Sequence, residues 1–309
     1  MANGSRTACR LVGETVYGTT PATPTLRHVR YRPTLSLGLK KTSFTSEEIR
    51  DDRQLSDFRH GNYDVSGDVP YEVTAGGTHD DLMEAVLCGT WTADVLQAGV
   101  TRRSFTFQKF FGDLESGDPY HNMPGCEINT WNLEAVPNAM VKQTFGVVGR
   151  DFQPAAAQIA GATVEGPTTT SPMDAFSGAL LEGGSPIAVV TGIKLTLDNG
   201  IETRFVIGSP LTIRPSIGRS MLSGEITAYF EDSSLMNKFK DELESDLTIT
   251  LADKVLPTPN SYTIFIPRLK YGSGSPDVQN EKSLMLTMSF QALYDSVEGS
   301  NITVTRVLV

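Results

Sequence analysis

Over residues 66–91 the apolar positions first alternate with polar ones and then recur at helical spacing. Val69, Tyr71 and Val73 fall on one face and Asp68, Pro70 and Glu72 on the other, the period of two that a half-buried strand requires. After Gly76-Gly77, Asp80 and Asp81 stand where anions favour a helix N-terminus, and Leu82, Met83, Val86 and Leu87 make one apolar face before Gly89. The pattern predicts a strand followed by a short amphipathic helix.

The pattern returns in the second half. Ser223-Gly224-Glu225-Ile226 repeats Ser66-Gly67-Asp68-Val69 at an offset of 157 (66 to 223), and Leu235-Met236-Asn237-Lys238-Phe239 repeats Leu82-Met83-Glu84-Ala85-Val86 at an offset of 153 (82 to 235). A period near half the chain predicts two tandem copies of one module. Alternation at 104–110 and 128–134 adds a hairpin to the first copy. Its counterpart in the second is 262–266 with 284–291, joined through a turn at Gly272-Ser273-Gly274-Ser275-Pro276. Asn199-Gly200 between alternating apolar residues is the strongest short hairpin signal, and 301–309 reads as a closing strand. The expected organisation is an N-terminal arm at 1–25, a unit at 26–150, a linker or outer-surface segment at 151–186 rich in Ala, Gly, Thr and Pro, and a second unit at 187–309.

Two regions stand out against this frame. Residues 42–63 read as a connection far longer than the usual 2 to 5 of a hairpin. Glu47, Glu48, Arg50, Asp51, Asp52, Arg53 and Arg59 mix both signs around Ile49, Leu55 and Phe58, which suits an arm docking on a complementary surface. The strand alternation also leaves a polar face carrying Asp68 and Glu72 in the first copy and Glu225 and Glu231 in the second, with Thr287, Ser289 and Gln291 on a later strand.

Charge and chemistry narrow the function. A net charge of −10 over 309 residues argues against a protein that grips nucleic acid by its phosphates. Arg27, Arg30 and Arg32 read as a solvated strand edge rather than a phosphate strip. Cys9, Cys88 and Cys126 are odd in number and scattered, which predicts neither a disulfide framework nor a zinc cage and points to folding in a reducing compartment. No apolar run approaches the roughly 18 residues of a membrane span, and the first residues lack the apolar core of a signal peptide. His28, His60, His79 and His121 lie on separate segments, and His79-Asp80-Asp81 with Cys88 reads as a turn and helix start rather than a metal set. With no nucleophile elbow, Walker loop or spaced Cys pairs, the expectation is a protein with no catalytic, metal or cofactor site.

The runs at 32–37, 44–62 and 65–70, with Tyr229-Phe230-Glu231-Asp232, Ile266-Pro267-Arg268-Leu269-Lys270-Tyr271 and Phe290-Gln291-Ala292-Leu293-Tyr294-Asp295, together resemble the major tail tube protein of long, non-contractile-tailed bacteriophages. The resemblance covers most of 30–306 and leaves out 1–24 and 151–186. It implies a mainly β fold, here two tandem β-sandwich units each with one flanking short helix, whose inner sheets join into a barrel in an oligomeric ring. Rings would stack into a tube that conducts the genome, with the long hairpin loop reaching the adjacent ring. Duplication implies a homotrimer with pseudo-sixfold symmetry, a six-chain ring being the second reading. The lumen candidates are then Asp68, Glu72, Glu225, Glu231, Thr287, Ser289 and Gln291, and the inter-ring candidates are Glu47, Glu48, Arg50, Asp51, Asp52, Arg53, Phe58 and Arg59. Further partners implied are a tape measure protein and the tail terminator and distal tail proteins, with DNA passing without specific binding and no membrane contact. The implied location is the virion tail, after synthesis in the host bacterial cytoplasm. The alternative from another class is a β-rich receptor-binding or adhesin protein on a particle surface.

Overall fold

β-Branched and aromatic residues recur through the alternating stretches, and they fit a pleated, half-buried surface. In the computed structural model, which describes residues 3–114, 117–186, 190–230, 233–254, 257–277 and 283–309, these stretches become strands. In chain order the first elements are β1 (Thr7–Glu14), β2 (Thr25–Val29), β3 (Gly38–Thr45), β4 (Phe58–Glu72), α1 (Thr78–Val86), β5 (Val95–Gln97), β6 (Ser104–Phe111), β7 (Tyr120–Ala135) and β8 (Lys142–Gly149). Then come β9 (Gln153–Ala155), β10 (Thr163–Glu165), β11 (Asp174–Glu182) and β12 (Ser185–Pro186). The last are β13 (Val190–Asp198), β14 (Glu202–Arg204), β15 (Ile213–Ser216), β16 (Met221–Tyr229), α2 (Ser234–Lys240), β17 (Glu244–Ala252), β18 (Ser261–Asp277), β19 (Met285–Ala292) and β20 (Thr303–Val307). The protein is mainly β, with large sheets and two short α-helices among the described residues.

Eight strands follow one another antiparallel in the order β3-β4-β8-β7-β13-β16-β19-β18. β7 and β18, of 16 and 17 residues, are long enough to belong to two layers. Their C-terminal halves lie in this eight-stranded sheet. The N-terminal half of β7 instead pairs with β6 and β9, and β1 and β2 extend that layer beyond β6. The N-terminal half of β18 pairs with β17 and β20, with β11 beyond β17 and β5 beyond β20. Apolar side chains from both layers, among them Val65, Phe107, Trp131, Phe145, Leu195, Leu247, Ile264 and Met288, make one buried cluster.

Connections in the eight-stranded sheet recur. Gly67 lies opposite Val147 as Gly224 lies opposite Phe290, so β4-β8 corresponds to β16-β19. β7 meets β8 with one extra residue, Asn129, and β18 meets β19 with one extra residue at the corresponding place, Gly272. A bulge bends a strand and raises its twist, and here it sits where each long strand leaves one layer for the other.

Several expectations change. The stretch 272–276 is strand, not turn: β18 runs through it, because Gly274 leaves the room that Met288 Sδ fills, 1.7 Å from where a Cβ would stand. The partner of β6 is the start of β7, while 128–134 pairs with β8 and β13, so the counterpart of β18 is β7 rather than β6. Asn199-Gly200 makes no two-residue hairpin, since β14 pairs with β15. The Asn199 amide instead donates to the Val86 carbonyl at 2.8 Å. The ends of the long connection are hairpin arms, with β3 reaching Thr45 and β4 beginning at Phe58, which leaves a loop at 46–57 and puts Phe58 and Arg59 on a strand. At the N-terminus, expected as an arm, Cys9 and Leu11 are buried because β1 finds β2 and β6 as partners. The Ala/Gly-rich stretch after β8 likewise contributes β9, β10 and β11 to the outer layers.

Candidate assembly surface

Alternation sorts the eight-stranded sheet into two faces. Val65, Val69 and Tyr71 of β4, Leu195 and Leu197 of β13, Ile226 of β16 and Met288 of β19 are buried. Asp68, Glu72, Glu225, Thr287, Ser289 and Gln291 occupy the intervening positions and so share the opposite, polar face. Glu231 lies outside the described residues. Sequence reading missed Asp64, Glu134 and Asp198 on this face, together with Lys40, Lys142 and Lys194. The Lys194-Thr196-Asp198 alternation against buried Leu195 and Leu197 was the signal for two of them.

These charges are ordered across the strands. Glu72 lies opposite Lys142, Lys142 opposite Glu134, Glu134 opposite Lys194, and Lys194 opposite Glu225. Anion and cation therefore alternate over five strands, with Lys194 Nζ 4.0 Å from Glu225. Opposite charges directly across a ladder are favourable, though each such exposed pair contributes at most about 1 kcal/mol. Arg32 borders the same depression as Lys142 and Lys194. Lys270 of β18 lies opposite Gln291 on this face, so among the described residues six carboxylates stand with five cations, a slight acidic excess without a purely acidic wall. Burial pushes the Asp64 carboxyl up, against the opposing pull of Lys40.

One end of the sheet carries the β3-β4 hairpin. Glu47, Glu48, Asp51 and Arg53 are exposed on its tip, while Arg50 forms a fork on Asp52 at 2.6 and 2.9 Å and Arg59 reaches Asp57 at 2.7 Å. Much of the tip's charge is therefore paired within itself. Phe44, Ile49, Leu55 and Phe58 are exposed beside these pairs. The segment after β14 comes alongside, with the Tyr63 N–H donating to Pro210 O at 3.1 Å, and it exposes Phe205, Val206 and Ile207.

Buried ionic contacts tie the early and late strands together. The buried Glu127 carboxylate on β7 accepts from Arg102 and from Arg214 Nε and Nη2 at 3.0 and 2.9 Å. Asp80 on α1 accepts from the Tyr262 hydroxyl and from Arg306 Nη1 at 2.6 Å. Burial alone would raise the Asp80 carboxyl, but His79, Tyr262 and Arg306 outweigh it and hold the group below the usual carboxylate value. The guanidinium of Arg306 lies over the Trp91 ring, 4.3 Å from its centroid. The Arg27 strip is likewise engaged, on Asp81 and Glu165, and Arg30 donates to Thr170 O. Among the described residues no His, Cys and carboxylate side chains gather as a metal site, and no helix is long and apolar enough to cross a membrane.

A search of curated proteins returns no match. A sequence model described as phage tail tube protein matches residues 4–292, from before β1 to the end of β19. That span takes in all eight strands of the polar-faced sheet, both helices and the long hairpin, and so nearly the whole molecule just described. On this match the chain belongs to the phage tail tube protein family, a structural family of the virion tail whose members self-assemble into a tube.

Proposed function

We propose that this chain is built of two tandem units, at 26–150 and 187–309, and that three copies join side by side into a ring with pseudo-sixfold symmetry. Rings stack into the tail tube, and the polar face of the eight-stranded sheet lines a lumen through which DNA passes during ejection. The observation that carries this reading is the sheet itself. Its outermost strands, β3 and the C-terminal half of β18, have no partner on their outer sides among the described residues. Open strand edges are templates for further pairing, and a head-to-tail contact repeated around an axis removes them by closing.

Four strands from each unit give 24 in the ring. At ~4.8 Å spacing and ~40° tilt these make a circumference of roughly 150 Å and a lumen of roughly 38 Å between side chains, wide enough for a duplex. Over about one Debye length, ~8 Å, the acidic excess repels phosphates while the interspersed lysines keep the field weak, so DNA is neither held nor strongly excluded. The β3-β4 hairpin tip and the Phe205–Ile207 stretch reach the adjacent ring, and the tube ends meet terminator and distal tail proteins, with the tape measure protein inside.

Negative-stain microscopy of the purified protein tests the assembly: rings or hollow tubes are expected, and discrete particles would favour the adhesin reading. Asp68→Lys combined with Glu225→Lys should still assemble but slow genome ejection. An unchanged ejection rate would remove these positions from the lumen.

A further inference from the structure

We infer that the contact between neighbouring copies has a defined register, which places Ser273 and Gly274 of one copy opposite Lys40 and Leu39 of the next. The same contact covers α2. This rests on the ring reading above and adds which strands meet, in what alignment, and which helix is buried with them.

The argument starts from a junction already inside the chain. β7 pairs with β13, setting Leu133 opposite Leu195, Trp131 opposite Leu197 and Thr130 opposite Asp198. β7 corresponds to β18 at an offset of 143, since Ile128, the extra Asn129 and Thr130 take the places of Tyr271, the extra Gly272 and Ser273. β13 corresponds to β3 at an offset of 158, since Thr196 faces Ser223 where Gly38 faces Ser66. The outer side of β7 is filled by β13; among the described residues the outer side of the C-terminal half of β18 is open, and so is that of β3, the strand equivalent to β13. Carrying the internal junction across sets Ser273 against Lys40, Gly274 against Leu39 and Pro276 against Leu37.

Hydrogen-bond phase agrees. The Phe230 N–H donates to Leu284 O and the Ser36 N–H to Asp68 O. Alternating along the antiparallel ladders from these two bonds, the backbone groups of Gly274 and Pro276 point to the open side of β18 and those of Leu37 and Leu39 to the open side of β3. Proline has no N–H, so its place on the open side costs the existing sheet nothing, and the junction forgoes one bond, that to the Leu37 carbonyl. A slip of one residue would turn Leu37 and Leu39 to the polar face, so only this register or one shifted by two keeps the faces in line.

The helices give an independent sign. Leu82, Met83 and Val86 of α1 are buried, and the second half of the chain reaches the same helix, through Asn199 on the Val86 carbonyl and through Tyr262 and Arg306 on Asp80. Their equivalents Leu235, Met236 and Phe239 on α2 are only partly covered, with Phe239 37% exposed. The next copy, joined at β18, brings its own first half against α2 as the second half is brought against α1.

Cysteine cross-linking tests the register. Lys40 and Ser273 would form a pair without mutual backbone hydrogen bonds, the closer kind, at a Cβ separation of about 4.5–5.5 Å. The native Cys9, Cys88 and Cys126 are buried and do not compete. Mild oxidation of assembled K40C/S273C should yield a covalent three-chain species that collapses on reduction, while either single variant and the out-of-register S36C/S273C stay monomeric on the gel. Tubes that cross-link only in S36C/S273C, or in neither, would overturn the register and leave the tube standing. Wild-type protein that forms no rings at all would instead overturn the ring reading. Phe239→Asp should cut assembly at least tenfold with the subunit's melting temperature unchanged; unimpaired tubes from this variant would overturn the role of α2.

Discussion

α1 and α2 carry the same apolar triplet, Leu-Met with Val86 or Phe239 three positions on, yet they live in different surroundings. α1 lies under other strands, with Leu82 and Val86 fully buried and its polar start locked by Asp80 to Tyr262 and Arg306. No residue of α2 is buried. Leu235 and Met236 pack against the core only in part, and the Lys238 ammonium sits 2.6 and 2.7 Å from the Glu182 carboxylate, which also accepts from Ser245 and Tyr271. Helices this short are marginal on their own, so packing decides their stability. The difference teaches that an amphipathic pattern specifies a face to be covered and leaves open what covers it.

The largest break in the comparison should come from Asp80. Asp80→Ala leaves the buried Tyr262 hydroxyl without its acceptor and Arg306 with Asp94 alone, and is expected to cost about 3 kcal/mol, read by chemical denaturation of the subunit. The equivalent position before α2, Ser233, makes no side-chain cap bond, and Ser233→Ala should change the same reading by less than about 0.5 kcal/mol.

Leu82→Ala should cost roughly 3 kcal/mol in the isolated subunit, against about 1 for Leu235→Ala. On the assembly proposed above, the two losses converge when melting is followed in intact tubes rather than subunits. A persistent gap there would mean that nothing covers α2.

Acid gives a smaller, separable effect. Because Asp80 is held below its ordinary value, its contribution is present above the unfolded pKa, near 4, and is lost as pH falls through the lower folded value. The wild-type melting temperature should therefore drop on acidification more steeply than that of Asp80→Asn, in which no carboxyl titrates at this position. Parallel curves would remove Asp80 as the source.

The smallest expected change is a gain. α1 has Asp80 and Asp81 in its first turn and α2 has no acid there. Asp placed at Ser233 should stabilise α2 by about 0.5 kcal/mol through the helix dipole, visible as a small rise in melting temperature at low salt.

Much of this was legible along the chain, because strand and helix periods are local. The alternation of Val69 and Tyr71 with Asp68 and Glu72, the helix after Gly77, and the recurrence at Ser223-Gly224 all follow from spacing alone. The same periodicity put Asp68, Glu72, Glu225 and Ser289 on the polar sides of their strands. Pairing partners were not legible, because they depend on contacts far apart in sequence. Gly272–Pro276 looks like a turn until Met288 is seen to fill the space over Gly274, and Asn199-Gly200 looks like a hairpin until Val86 claims the Asn199 amide. Thr7–Glu14 has little period of its own and becomes a strand because β6 offers it an edge. Sequence by itself determined which residues alternate, where the pattern repeats and which face is charged. Only tertiary structure decided which strands adjoin, that Lys142 and Lys194 fall between carboxylates, and which two edges remain open, since backbone hydrogen bonds can be matched only after distant segments have met.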